Sequence, residues 1–530
     1  MLKTKRLIPI AALLTVAGGI HAPLAAASGN QEAVFQDDVQ LKSNPVGTLA
    51  TLRTLGVTRV RVFVTWSSIA PGSGSRRRPR GFNAANPAAY PARNWAIYDR
   101  IVQDAAADGI GLDFTLTGPA PLWATGPGMP PGGPYGQWKP SASEFKGFAH
   151  AMGTRYSGRY RPARASQPLP RVNFWAIWNE PNYGIDLAPQ ATNNDTIEVG
   201  AVEYRSLLNA AWSGLQATGH GRDTILIGET APRGADHPIG NFNGVKPLRF
   251  LRALYCVDSS YRQLRGLAAA DRGCPTSAAG SRRFRAANPA LFQATAFADH
   301  PYTKQGAEVA PNVPTTSDPR RFRSDPDYAD LPVVPRLEGV LDRLQRIYGS
   351  RTRFSVWNTE YGYRARPPDD HANISQATAS YYLNWAEYLS WRQSRLVSYS
   401  QYLLVDAPSG FFASGLELAS GAHTAMFDAY RMPLYLPVTS TRRGRRLEVW
   451  GCARPAHFAA LDSHAAQRVS ILFQAGSRGA FRTLATVPIT NVRGYFDARV
   501  TFPGSGTVKL GWTYPGGQTV FSRTVNVTIR

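Results

Sequence analysis

Phe174-Trp175-Ala176-Ile177-Trp178-Asn179-Glu180-Pro181-Asn182-Tyr183 is the stretch on which the reading of this chain turns. An apolar, aromatic run of strand character ends abruptly in Asn-Glu-Pro-Asn. The proline cannot continue a hydrogen-bonded ladder, so the strand is expected to stop there and deliver Glu180 at its tip. A second stretch repeats the theme. Phe354-Ser355-Val356-Trp357-Asn358-Thr359-Glu360 is again apolar and aromatic and again delivers a carboxylate, followed by Tyr361-Gly362-Tyr363. Tips of parallel strands are where barrel enzymes keep their reacting groups.

Working outward, the chain alternates strand and helix patterns. Strand markers fall at Ala33, Val60, Gly111, Val172, Thr224, Ala294, Phe354 and Val397, with helical stretches between them. Examples are Trp95 to Asp108, Ser143 to Tyr160 with Ser143 as its cap, and Ser375 to Arg392. Eight strands alternating with helices predict a (β/α)8 TIM barrel over residues 28–435. From about Leu436 the texture changes to short alternating strands separated by Gly, Pro and Asn turns, with no helix pattern. Residues 436–530 are therefore expected to form a β-sandwich, which either binds carbohydrate or covers one flank of the barrel.

The first 27 residues read as a bacterial-type signal peptide. Lys3, Lys5 and Arg6 precede an apolar run from Leu7 to Ile20, and Ala25-Ala26-Ala27 offers small residues for cleavage. No later stretch approaches the roughly 18 apolar residues that cross a bilayer, so the expectation is a secreted, extracellular protein without a membrane span. Cys256 and Cys274 bracket a short segment and could close a disulfide loop in an oxidising compartment, leaving Cys452 over. The three cysteines are too scattered for a zinc site, and no metal or cofactor is expected. The net charge of +23 reads first as a habit of a composition rich in Ala, Arg, Gly and Pro, and otherwise as attraction to an acidic polymer: nucleic acid, a uronate polysaccharide or an anionic cell envelope. Specific nucleic-acid binding is not expected, because no motif interleaves aromatic and basic residues. Much of the positive charge lies along the chain as scattered arginine, with the densest run, Arg76-Arg77-Arg78-Pro79-Arg80, in a loop rich in Gly, Ser and Pro.

Counted along the barrel, Glu180 ends the fourth strand and Glu360 the seventh, so their tips can face one cleft. Glycoside hydrolysis needs such a pair, one carboxyl to protonate the leaving oxygen and one to attack the anomeric carbon or activate water. The chain resembles the clan A glycoside hydrolases, retaining (β/α)8 enzymes that include cellulase-like and xylosidase-like families. The resemblance is carried by Trp178-Asn179-Glu180-Pro181-Asn182 and by Trp357-Asn358-Thr359-Glu360-Tyr361-Gly362, and spans roughly residues 30 to 435. It implies Glu180 as general acid/base and Glu360 as nucleophile. It also implies Asn179 as a hydrogen-bond partner of the sugar, Arg61 and Tyr302 as neighbours that orient the nucleophile, and His300 in the same pocket. Trp123 and Trp138, on the loop after the third strand, are expected to stack on sugar rings. Glu229, at the end of the fifth strand, reads as a substrate contact or a capping acid. The expected partner is an oligo- or polysaccharide. The competing expectation is a catalytically silent carbohydrate-binding or cell-envelope protein on the same barrel.

Overall fold

Eight short parallel strands close on themselves, each followed by a helix, and a second β-rich unit is fastened to one side. The computed structural model describes residues 28–29, 31–133, 135–192, 196–303, 309–318 and 323–530; the expected signal segment lies outside them. The barrel strands are β1 (Glu32–Gln36), β2 (Arg59–Thr65), β3 (Gly111–Thr117), β4 (Phe174–Ile177), β5 (Thr224–Thr230), β6 (Ala296–Asp299), β7 (Val356–Asn358) and β8 (Ser398–Tyr402). The helices that follow them are α1 (Pro45–Thr54), α2 (Ala92–Ala107), α3 (Ala142–Arg155), α4 (Gly200–Ala217), α5 (Pro247–Leu254), α6 (Val334–Ile347), α7 (Gln376–Trp391) and α8 (Ala425–Arg431). Parallel pairing runs from β1 through β7, and β8 pairs with β1. Between β7 and β8 the ladder thins to a bridge at Val356 and Leu396. There the Ser398 hydroxyl donates to Asn358 O (2.8 Å) and the Ser400 hydroxyl to Thr359 O (3.0 Å).

The period-2 alternation of the strands divides their side chains between two environments. Val60, Val62, Val64, Ile225, Ile227 and Phe297 face the helices in the main core. Phe174, Ala176, Leu226, Ala296 and Ala298 point inward and pack with Trp357. Arg59 lies over the Phe174 ring at 4.0 Å and pairs with Glu32 at 2.8 Å, filling the lower barrel. Small side chains above that layer leave room for one large polar group, Arg61.

Two local readings are corrected. Helix α3 is capped by Ser141, whose hydroxyl accepts from Glu144 N, rather than by Ser143. It ends at Arg155 instead of running on to Tyr160, ahead of Gly158 at positive φ. The C-terminal part, β9 (Leu434–Tyr435), β10 (Arg446–Cys452), β11 (Gln467–Ala475), β12 (Arg482–Ile489), β13 (Tyr495–Thr501), β14 (Gly506–Thr513) and β15 (Val525–Ile529), forms two sheets. One has the order β9-β10-β13, and the other runs Ser440–Thr441, β15, β14, β11, β12. Leu447, Val449, Phe496 and Val500 from the first sheet meet Val469, Ile471, Val508, Leu510 and Val527 from the second in one core. A helix, Ala456–Ser463, is inserted here against expectation. Its sequence is short and apolar without a clear stripe, so periodicity does not reveal it.

The two units share a buried ion pair. Arg454 donates to both oxygens of Glu387 on α7 (2.6 and 2.7 Å) and to Tyr430 O (2.9 Å). The Tyr495 hydroxyl donates to Glu387 Oε1 at 2.7 Å. Removing one member of a buried pair leaves a charge without compensation. Glu387→Ala should therefore lower stability by about 3–5 kcal/mol, read as a lower midpoint for the first unfolding transition. An unchanged midpoint would show that the pair does not fasten the units.

Candidate active site

The Arg61 side chain rises inside the barrel from the middle of β2 and is fully buried. A guanidinium offers five N–H donors in a rigid fork, and all five find acceptors here. Nε donates to Glu229 Oε1 (3.0 Å), and Nη2 to Glu229 Oε2 (2.6 Å) and Asn179 Oδ1 (2.8 Å). Nη1 donates to Gln36 Oε1 and to Glu360 Oε2 (3.0 Å). Burial alone would favour loss of the Arg61 proton, but the charges of Glu229 and Glu360 outweigh it and hold the group cationic. Asp113, opposite Arg61 in the β2–β3 ladder, is pushed up to about 7 by burial and by Glu229.

The β4 tip turns through backbone that side chains rarely adopt. Trp178 has φ 69° and Glu180 φ 39°, and Glu229 at the β5 tip has φ 49°. Such conformations persist only where surroundings over-determine them. Glu180 N donates to Glu229 O (3.0 Å), tying the two tips together. Asn182 completes the clamp: its Oδ1 accepts from Ala231 N (2.7 Å) and its Nδ2 donates to Val245 O (2.9 Å). Trp178 Nε1 donates to Asp186 O at 3.1 Å.

Glu360 lies two residues beyond β7, because the strand ends at Asn358. The Tyr302 hydroxyl donates to its Oε1 at 3.1 Å. Burial and the Glu360 charge push the Tyr302 hydroxyl well up, so it remains a donor. Glu180 Oε1 lies 3.0 Å from His300 Nδ1, and Glu360 Oε2 is 3.8 Å from that same nitrogen. Burial would lower the His300 imidazolium, but the Glu360 charge and the Glu180 contact outweigh it and raise it above the ordinary value. One carboxylate oxygen of Glu180, one of Glu360 and a His300 nitrogen all lie within 4.8 Å of one another. These three side chains are close enough to share a cation. Their present partners already engage both oxygens of Glu360 and the His300 Nδ1.

Glu180, Glu360, Asn179, Arg61, His300 and Tyr302 thus form one connected cluster at the mouth. Trp123 and Trp138 do not join it. Trp138 is 4% exposed, donates to Pro127 O and packs on Phe242, so it has no face free for a sugar. Trp123 donates to Pro71 O and is wedged against Trp66 and Phe82, with Arg78 over its ring. Sequence reasoning left Glu229 between a substrate contact and a capping acid, and the structure buries it completely as the Arg61 partner. Sequence reasoning also passed over Gln36 and Asp186. Asp186 accepts from Asn179 Nδ2 at 3.0 Å, and burial with the nearby Glu180 charge pushes it up to about 8. No spacing marks Asp186, since it belongs to an irregular turn six residues after Glu180. Cys256 and Cys274 are bonded at 2.02 Å, away from this cluster, and Cys452 is buried and free.

No family model matches the chain, and no curated protein matches it by sequence. Among solved structures it is similar to a family 39 glycoside hydrolase from the gut symbiont Bacteroides cellulosilyticus WH2, at 15% identity and TM-score 0.48 over 90% of this chain and 80% of that one. It is also similar to the endo-beta-1,4-mannanase from Thermotoga petrophila, at 10% identity and TM-score 0.38 over 96% and 98% of the two chains. A family 1 beta-glucosidase from Thermotoga maritima aligns at 15% identity and TM-score 0.44 over 74% and 84%. These are distant likenesses of overall architecture.

His300 supplies a sign that can be checked. Its folded-state value lies above the unfolded one, so its protonated form adds stability that is fully present below about pH 6.5 and lost as pH rises through the folded value. The stability advantage of the wild type over His300→Asn, from urea midpoints, should be larger at mildly acidic than at alkaline pH. A difference that grows with pH would contradict the assignment.

Proposed function

We propose that this chain is a secreted glycoside hydrolase that cleaves O-glycosidic bonds of an oligo- or polysaccharide with retention of configuration, exported by its first 27 residues. The observation that carries the reading is the pair of carboxylates at the β4 and β7 tips, with oxygens within 4.8 Å of each other and different partners. Retaining enzymes hold the two groups about 5–5.5 Å apart, whereas inverting ones leave about 6.5–9.5 Å for a water.

In this reading Glu360 is the nucleophile. Arg61 and Tyr302 grip its two oxygens from different sides, which fixes the direction of attack on the anomeric carbon. Glu180 is the acid that protonates the departing oxygen, and then the base that takes a proton from the incoming water. When Glu360 becomes an ester its charge disappears, and Arg61 is left facing Glu229, which keeps the buried cation compensated through the covalent stage. Asn179 is fixed by Arg61 on one side and Asp186 on the other, so its amide is oriented before any sugar arrives. The silent-barrel alternative requires that this oriented pair do no chemistry, and nothing in the site favours it.

Aryl glycosides distinguish the two. Glu360→Ala should abolish turnover, and added azide should restore it while yielding a glycosyl azide of inverted configuration. Glu180→Ala should slow hydrolysis of a poor leaving group by about 10²- to 10⁴-fold, with azide giving the retained product. NMR of the first anomer released by the wild type settles retention, and an inverted first product would sink the mechanism. If the intact protein turns over no glycoside in a broad panel, the silent reading stands instead.

A further inference from the structure

The loops after β2 and β3 form one wall of the mouth, and their charge is one-sided. Residues 66–91 and 118–141 carry Arg76, Arg77, Arg78, Arg80 and Lys139 and not a single Asp or Glu. The loops are joined by Leu122 N donating to Ser73 O (2.7 Å), Ser67 N to Pro119 O (3.0 Å) and the Trp123 indole to Pro71 O (2.9 Å). Arg78 is tied down by Glu144 at 2.7 Å, whereas Arg76, Arg77 and Arg80 are exposed. Among the described residues none of these three has an acidic partner. Arg76 lies 5.5 Å from the centre of the Tyr135 ring, which is itself 45% exposed. A half-exposed ring with one guanidinium over it, and two further exposed arginines in the same loop, suits a sugar that carries an anion: the ring's open side takes a C–H face and the arginines a carboxylate or sulfate.

The wall is continuous with the loop that bears Glu180. Ala188 N donates to Gln137 O (2.9 Å), Lys139 N donates to Ala188 O (2.6 Å), and Trp138 bridges Ala188. An acid must stand beside the oxygen it protonates, so the departing half of the substrate extends past Glu180 and along this wall, away from Glu360. The inference rests on the glycosidase reading above and adds a substrate class to it. We infer that the β2 and β3 loops form the leaving-group subsites for an anionic glycan, with Arg76, Arg77, Arg80 and Tyr135 as its contacts.

Generic attraction to a +23 protein must be separated from recognition by the wall. The test compares the wild type with two triple variants: Arg76→Gln, Arg77→Gln, Arg80→Gln in the wall, and Arg442→Gln, Arg443→Gln, Arg445→Gln at an exposed turn of the C-terminal unit. Each removes the same charge. Binding of labelled polygalacturonate, dextran sulfate, neutral laminarin and duplex DNA is measured at about 0.15 M salt. The wall variant should bind the anionic glycans about 10-fold more weakly, while its affinity for laminarin and DNA changes little and the C-terminal variant keeps wild-type binding. A response confined to polygalacturonate or to dextran sulfate identifies the anion as carboxylate or sulfate. Laminarin bound as tightly as either anionic glycan, equal losses in the two triple variants, or an equal loss for DNA would overturn the inference. Failure to hydrolyse any glycoside would strike the catalytic reading without touching these affinities, and loss of the anionic preference would leave catalysis standing.

Discussion

One guanidinium organises the mouth of this barrel. Arg61 is taken wholly out of water, and its cost of burial is offset because every N–H meets an acceptor and two carboxylates face it. Its partners come from β1, β5 and the segments after β4 and β7, so a single side chain sets the spacing of most of the mouth. It also makes the two outer carboxylates unequal. Glu360 faces Arg61 and a tyrosine hydroxyl, whereas Glu180 faces an imidazole. Different partners for two like groups are how one site assigns different proton roles to them.

Around that hub the backbone is held in unusual shapes. Trp178, Glu180 and Glu229 all have positive φ, in a region that non-glycine residues rarely occupy. Asn182, the last residue of the Asn-Glu-Pro-Asn turn, touches neither carboxylate. It locks the β4 turn to the loop after β5 through both ends of its amide. The turn therefore divides its labour: Glu180 faces the cleft, Asn179 connects Arg61 to Asp186, and Asn182 holds the frame.

Much of this was legible in the residues. The strand–helix alternation announced the barrel, because period 2 and period 3.6 differ plainly over such lengths. The carboxylates were legible because each terminates an apolar run. What the sequence concealed were contacts between side chains far apart in the chain. Glu229 closes an apolar run as Glu180 does, yet it belongs to β5 itself and its backbone turn sends it under the mouth to Arg61, 168 positions away. Trp123 and Trp138 show the opposite failure. A loop rich in Gly and Pro looked open, but its tryptophans fold inward, Trp123 onto Trp66 and Phe82 at the edge of the main core and Trp138 onto Phe242. Asp186 was invisible because an irregular turn has no period.

The thin junction between β7 and β8 gives the barrel a seam. Three backbone bonds cross it, Val356 N to Arg395 O, Val397 N to Val356 O and Tyr402 N to Tyr361 O, and two serine hydroxyls add to the stitching. Glu360 hangs just beyond that seam, while Glu180 belongs to the firmly laced side. Local opening needs least where fewest bonds must break, and the segment that carries Glu360 follows a strand with such a neighbour.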